Sequence, residues 1–255
     1  MTTLLTVVGI AIIVAAVQDI FFTLFHPARG GDICDWIADR IWRLFRRFFP
    51  RALTLAGPVS FVSIVMYWVL SVSVGFALLY FSRLPSLFTF APGIKPEQYH
   101  SFLGALDVSL GSLITLSTGI YSTSRWIQLL MGIESVLGFA LLTASISWIL
   151  SIYPVLEHRK SLAHEATLLH FSEANGISCL SDASDSDLLQ ILLGFAGQLS
   201  TSRNELMQFP ITYYFHENET KTSLAGILPY LAEIAEQSSR RKGAAGMPQS
   251  RSAER

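Results

Sequence analysis

Between Ser101 and Pro154 a short apolar segment spiked with polar residues, a Thr-Gly turn and a long apolar stretch follow one another almost without interruption. Phe102 to Thr118 is apolar enough for a helix, yet Asp107, Ser109, Gly111, Ser112 and Thr115 interrupt it. At about 1.5 Å per residue it is short for a bilayer crossing with so many polar groups, and it suits a re-entrant helix packed inside protein. Gly119-Ile120-Tyr121-Ser122-Thr123-Ser124 does not readily prolong a helix, whereas Trp126 to Tyr153 is long and apolar enough to span. Irregular backbone is tolerated at membrane depth only where protein buries it or where it lines a water-filled cavity. A short helix, a turn and a spanning helix in that order therefore predict such a cavity, the plan of a pore.

The composition agrees, since 51% hydrophobic and 15% charged residues in 255 are too apolar for an ordinary soluble domain. A formal charge of −1 gives no sign of a nucleic-acid partner. The two cysteines, Cys34 and Cys179, lie far apart without metal-ligand spacing and read as free thiols, so neither a disulfide framework nor a metal site is expected.

Three spans are expected at Thr3 to Phe25, Val59 to Phe81 and Trp126 to Tyr153. The first lacks a basic leader and a small-x-small cleavage site, so it reads as a retained helix. Arg29, Arg40, Arg43, Arg46, Arg47 and Arg51 follow it, against Asp32, Asp35 and Asp39, and the positive-inside rule puts this loop in the cytoplasm. The N-terminus is then outside, Arg83 to His100 is an external linker, and the last span returns inward to His158-Arg159-Lys160 in a multi-pass protein of the cell membrane. Within the loop Ile33, Ile37, Ile41, Leu44, Phe45 and Phe48 recur at helical spacing beside Trp36 and Trp42. This pattern fits an amphipathic helix in the headgroup layer or one packed on the cytoplasmic domain.

An outer helix, a short pore helix, a Thr-containing turn and an inner helix carrying Glu134 and Gly138 resemble the pore module of the potassium channel superfamily, in particular its bacterial members with a two-helix pore. The likeness rests on Ala105 to Thr118, Ile133 to Ala144, Ser147 to Pro154 and Phe209 to His216. It implies a homotetramer around a central pathway for monovalent ions such as potassium, embedded in the lipid bilayer, with no other cofactor. Family members carry Thr-x-Gly-Tyr/Phe-Gly-Asp, whose glycines let backbone carbonyls face the axis. This chain has Thr118-Gly119-Ile120-Tyr121-Ser122-Thr123 instead, with one glycine in any register and no aspartate. A β-branched Ile120 resists the positive φ of a glycine position, and the stretch from Thr118 to Trp126 is shorter than the family generally uses. A stack of carbonyl rings is not expected.

The resemblance implies pore or filter positions at Thr115, Ser117, Thr118, Gly119, Ile120, Tyr121 and Ser122, which form either the external constriction or a mere turn in a closed bundle. Arg125 either rings the outer mouth or snorkels to headgroups beside Trp126. At 100° per residue Glu134 shares a face with Gly138, Ser145 and Ile152, opposite Thr143, Ser147 and Ser151. The favoured assignment lines the cavity with Thr143, Ser147 and Ser151 and turns Glu134 toward the pore helix as a hydrogen-bonding buttress; the reverse remains open. Gly138 is a gating bend or a close helix contact, and Asp19 is expected to pair with a loop arginine.

The expected organisation is all-α: 1–25 an N-terminal span, 26–56 the amphipathic helix, 57–156 the pore module, 157–239 a small, mainly helical cytoplasmic domain and 240–255 a disordered tail. Helices are expected at Ser161 to Asn175, capped by Gly176, at Ser184 to Ser202, capped by Ser184 or Asp185, and at Lys221 to Gln237, with Phe209 to His216 a short strand or extended segment. The cytoplasmic domain holds the tetramer together or couples a partner of unknown identity to the gate. No dinucleotide fingerprint, His-Glu-x-x-His pattern or nucleophile elbow is present, so no enzyme is expected. The functional expectation is an ion channel with an altered, weakly potassium-selective filter; the alternatives are a conventional potassium channel with an unorthodox filter and a non-conducting membrane scaffold.

Overall fold

The structure, a computed structural model, describes residues 2–25, 32–116, 119–177, 183–215 and 224–245. The chain divides into two units, Met1–Ile152 and Tyr153–Arg255. In chain order the first unit holds α1 (Thr2–Phe25), α2 (Asp32–Phe48), a 3₁₀ turn (Pro50–Leu55), α3 (Ala56–Phe81), β1 (Phe88–Phe90), a second 3₁₀ turn (Pro96–His100), α4 (Phe102–Leu113), β2 (Ile120–Ser122) and most of α5 (Arg125–Ala174). Among the described residues three helical stretches are long and apolar enough to cross a membrane: Thr2–Leu24, Pro50–Phe81 and Arg125–Ala174.

Helix α3 is the hub of this unit. It packs against α1, where Gly9 and Gly75 bring the two backbones together, and against α2 and α4. Its buried face carries Ile64, Trp68, Val72, Phe76 and Tyr80, and Phe76 joins Ala105, Val108 and Leu113 of α4 and Ile127 of α5 in one core. Trp68 stacks on Trp148 of α5 with ring centroids 5.5 Å apart, and Trp148 meets Phe61 at 5.1 Å.

Helix α5 runs to Ala174, through Pro154 and past the expected boundary at 156. A proline removes one intrahelical hydrogen bond, but Val155 to Ala166 brings no glycine or second proline to stop the helix. The helix ends as expected at Gly176, whose φ is 68°: Ile177 N–H reaches Ser172 O and Gly176 N–H reaches Glu173 O, the paired bonds of a Schellman cap.

The second unit adds α6 (Asp185–Gln208), a 3₁₀ turn (Pro210–Tyr214) and α7 (Leu224–Ala245). Ser184 caps α6 by accepting from Asp187 N–H at 3.2 Å. Ala166, Ile227 and Leu231 form one small core of this unit, and Leu188 with Ile234 forms another. Pro210 to Tyr214 is a helical turn rather than a strand: Arg159 donates to Thr212 O at 3.1 Å and Phe215 O at 2.7 Å, so its peptide groups need no sheet partner. Helix α7 continues past residue 239 to Ala245, because Arg240 to Ala245 contains good helix formers and a single glycine.

Candidate functional site

Helix α4 is short because it stops early. It ends at Leu113, five residues before Thr118, where Leu116 N–H bonds to Gly111 O at 2.7 Å and Thr115 N–H to Ser112 O at 3.1 Å. This is another Schellman pattern, but its left-handed position is held by Thr115 at φ 57°. A β-branched residue rarely occupies that region, so the backbone is strained at one of the predicted site residues.

A polar seam fixes α4 between the two longer helices. Glu134 of α5, fully buried, accepts from Tyr80 Oη of α3 at 2.8 Å through one carboxyl oxygen and meets Ser109 Oγ of α4 through the other. Ser109 Oγ also lies 2.9 Å from Ser73 O. One level deeper, Ser135 Oγ lies 2.7 Å from Ser112 O, and at the next Gly138 faces Leu113 O so closely that a Cβ there would overlap the carbonyl. Both helices advance through these contacts in the same sense, from Ser109 beside Glu134 to Leu113 beside Gly138. Gly138 lies 13 residues past Arg125, about 20 Å along the axis. Gly138 therefore makes a close contact with the end of α4.

The return limb is held differently from a carbonyl filter. Ile120, Tyr121 and Ser122 form β2, antiparallel to β1 with Phe90 opposite Ile120 and Phe88 opposite Ser122. Ala91 N–H takes up Gly119 O at 2.8 Å, Thr89 Oγ1 donates to Tyr121 O at 3.1 Å and Gln128 Nε2 to Ser122 O at 2.7 Å. Gly119, at φ 73°, is the residue in the left-handed region, while Ile120 sits buried in extended backbone and avoids the conflict its branching would create. Tyr121 is exposed. Ser117 and Thr118 lie outside the described residues.

On α5 the two faces differ in burial. Glu134, Leu141, Ser145, Trp148 and Ile152 are buried, and Thr143, Ser147 and Ser151 are exposed. Thr143 and Ser151 turn their hydroxyls to carbonyls of their own helix, at Phe139 and Ser147. An apolar cavity of about 240 Å³ opens under the end of α4, between Val65 and Val69 of α3, Thr115, and Phe139 and Leu142 of α5. Arg125 is exposed at the start of α5, next to Trp126 at 78% exposure. Among the described residues no group of His, Cys, Asp and Glu gathers as a metal site.

Asp19 has partners other than the expected loop arginines, of which Arg29 lies outside the described residues. Its carboxylate accepts from Trp68 Nε1 at 2.8 Å and from Cys34 Sγ at 3.3 Å, with no arginine partner among the described residues. Cys34 in turn accepts from Thr23 Oγ1 at 3.6 Å. Burial, with Asp19 and Asp35 nearby, pushes the Cys34 thiol up to about 12. Cys34 lies within the first turn of α2, and its hydrogen bonds to Asp19 and Thr23 pin that helix to α1.

No family model matches the chain, and no solved structure matches it. It is similar to the uncharacterized membrane protein YdjJ of Bacillus subtilis (strain 168), at 22% identity over 230 residues, which cover 85% of this chain and 64% of that protein. The chain thus spans less than two thirds of that relative's length. With three helices long and apolar enough to cross a bilayer and this likeness to a membrane protein, the chain is a mainly helical membrane protein.

Proposed function

We propose that this chain is the subunit of a homotetrameric ion channel of potassium-channel architecture whose filter is replaced by a strand-pinned return loop. One observation carries the reading: α4 ends beside Gly138, about 20 Å along α5 from its first residue, and the chain then returns to begin α5 at Arg125. In a hydrocarbon core of about 30 Å that depth makes α4 a re-entrant helix. Its C-terminal carbonyls, with their partial negative charge, favour cations near its tip. One such module cannot enclose a pathway, so copies must surround it. Thr143, Ser147 and Ser151 supply the small hydroxyls of the inner cavity, and Glu134 buttresses the pore helix. The orientation is N-terminus outside with the second unit in the cytoplasm, following the arginines of α2.

With Gly119, Tyr121 and Ser122 carbonyls engaged by donors of the same chain, they are poorly placed to replace an ion's hydration shell, and weak potassium selectivity follows. The same engagement favours a second reading, in which the loop is a plug and the protein is a non-conducting scaffold. Liposomes containing the purified protein, its subunit number fixed by native mass spectrometry, decide between them. Comparable potassium and sodium flux supports the altered filter, strong potassium selectivity refutes it, and tetramers silent to potassium, sodium and chloride support the plug.

A further inference from the structure

The apolar arc of α2 is wider than the protein covers. Cys34 and Ala38, at 3% and 2% exposure, turn into the bundle. At 100° per residue Ile33, Leu44 and Phe48 form the adjoining strip, and they stand 44%, 50% and 62% exposed. Arg40 and Arg47, two turns apart, border that strip together with Trp36. The Arg40 guanidinium lies 5.3 Å from the Trp36 ring and that of Arg47 5.8 Å from the Phe48 ring, so both charged heads rest against apolar rings at its edge. Among the described residues no carboxylate pairs with Arg40 or Arg47, whereas Arg43, farther round the polar arc, is bridged by Asp39 at 2.7 Å.

We propose that this flank of α2 seats an anionic phospholipid, its acyl chains along Ile33, Leu44 and Phe48 and its phosphate between Arg40 and Arg47. The chain leads from spanning helix α1 into α2, and from α2 through a short turn into spanning helix α3, so both ends hold α2 near the bilayer surface. The exposed strip meets hydrocarbon, and the two uncompensated guanidiniums select a negative headgroup over a zwitterionic one. The inference is independent of whether the pore conducts.

The test uses the full chain, delipidated in neutral detergent and titrated with phosphatidylglycerol or phosphatidylcholine, with bound lipid counted by native mass spectrometry. Wild type should prefer phosphatidylglycerol by about tenfold or more, the order expected of two basic residues at an anionic surface. Arg40→Gln with Arg47→Gln should abolish the preference, Arg43→Gln should leave it, and millimolar inorganic phosphate should not displace the lipid. Equal retention of both lipids, an equal loss in Arg43→Gln, or displacement by phosphate overturns the proposal. Should the double variant fail to fold, photoactivatable phosphatidylglycerol on wild type carries the test: label within residues 33–48 supports the seat, and label confined to other segments overturns it.

Discussion

Replacing Glu134 by alanine removes the acceptor that Tyr80 and Ser109 share, and the size of the loss can be worked out. Both hydroxyls are buried, on different helices, and the carboxyl bridges them. Interhelical hydrogen bonds in membranes contribute about 0.6 kcal/mol on average and up to about 1.7. Two of them give about 1–3 kcal/mol. The truncated side chain leaves a void of roughly 50 Å³, which at about 24 cal/mol per Å³ adds about 1 kcal/mol. The expected cost is about 2–4 kcal/mol, measured by unfolding the purified protein in mixed micelles with increasing dodecyl sulfate. Glu134→Gln should cost under about 1 kcal/mol, because its carbonyl still accepts from Tyr80 and its amide can donate to Ser109. An alanine variant within about 0.5 kcal/mol of wild type, or a glutamine variant as damaged as alanine, refutes the buttress reasoning.

Gly138→Ala should destabilise by about 1–3 kcal/mol, since its methyl meets the Leu113 carbonyl, while Gly132→Ala, with open space around it, should be neutral or gain up to about 1 kcal/mol in the same assay. Thr115→Gly should stabilise by about 1 kcal/mol by relieving the left-handed backbone that ends α4; a loss would refute the strain. For Cys34 the folded thiol is raised from 9.0 to about 12, so its stabilising contribution is complete below pH 9 and is lost as pH rises toward 12. In a Cys179→Ser background, unfolding stability should therefore fall over that window more steeply with Cys34 than with Cys34→Ala, and parallel pH profiles would refute the shift. Trp68→Phe keeps a ring against Trp148 but removes the donor to Asp19, and should speed Cys34 alkylation about three- to tenfold; an unchanged rate would break the link.

The spanning helices were legible because runs of apolar residues have few other fates, and helical phase separated Glu134 from Thr143, Ser147 and Ser151 while leaving open which face turns inward. Other features carry no local signal. The end of α4 depends on Thr115 entering a conformation its side chain disfavours, which no propensity anticipates. The pairing of Phe88–Phe90 with Ile120–Ser122 joins two three-residue segments across a helix, too short for a readable alternation. Pro154, just past the expected end of the last span at Tyr153, is tolerated inside α5. Asp19 was expected to pair with a loop arginine, and what the sequence did not offer is the indole N–H 49 residues away that donates to it, brought close by the packing of α1 on α3.

The partners of Asp19 matter for how the unit works as a whole. Asp19 is the point where three helices exchange hydrogen bonds: α1 supplies the carboxylate, α2 the Cys34 thiol and α3 the Trp68 indole. Trp68 then passes the contact to Trp148, which lies on the buried face of α5 that also carries Glu134. Had Asp19 paired with a loop arginine, α2 would be tethered by a flexible, solvent-screened contact. With Trp68 as its partner the tether is short and directional, and its rigid ring is already packed on α5. A lipid seated on the exposed flank of α2 and helix α5 thus bear on one aromatic side chain. A displacement of α2 must either break the Asp19 hydrogen bonds or move the ring against which α5 packs, and the Trp68→Phe variant separates these alternatives because it cuts the first while leaving the second in place.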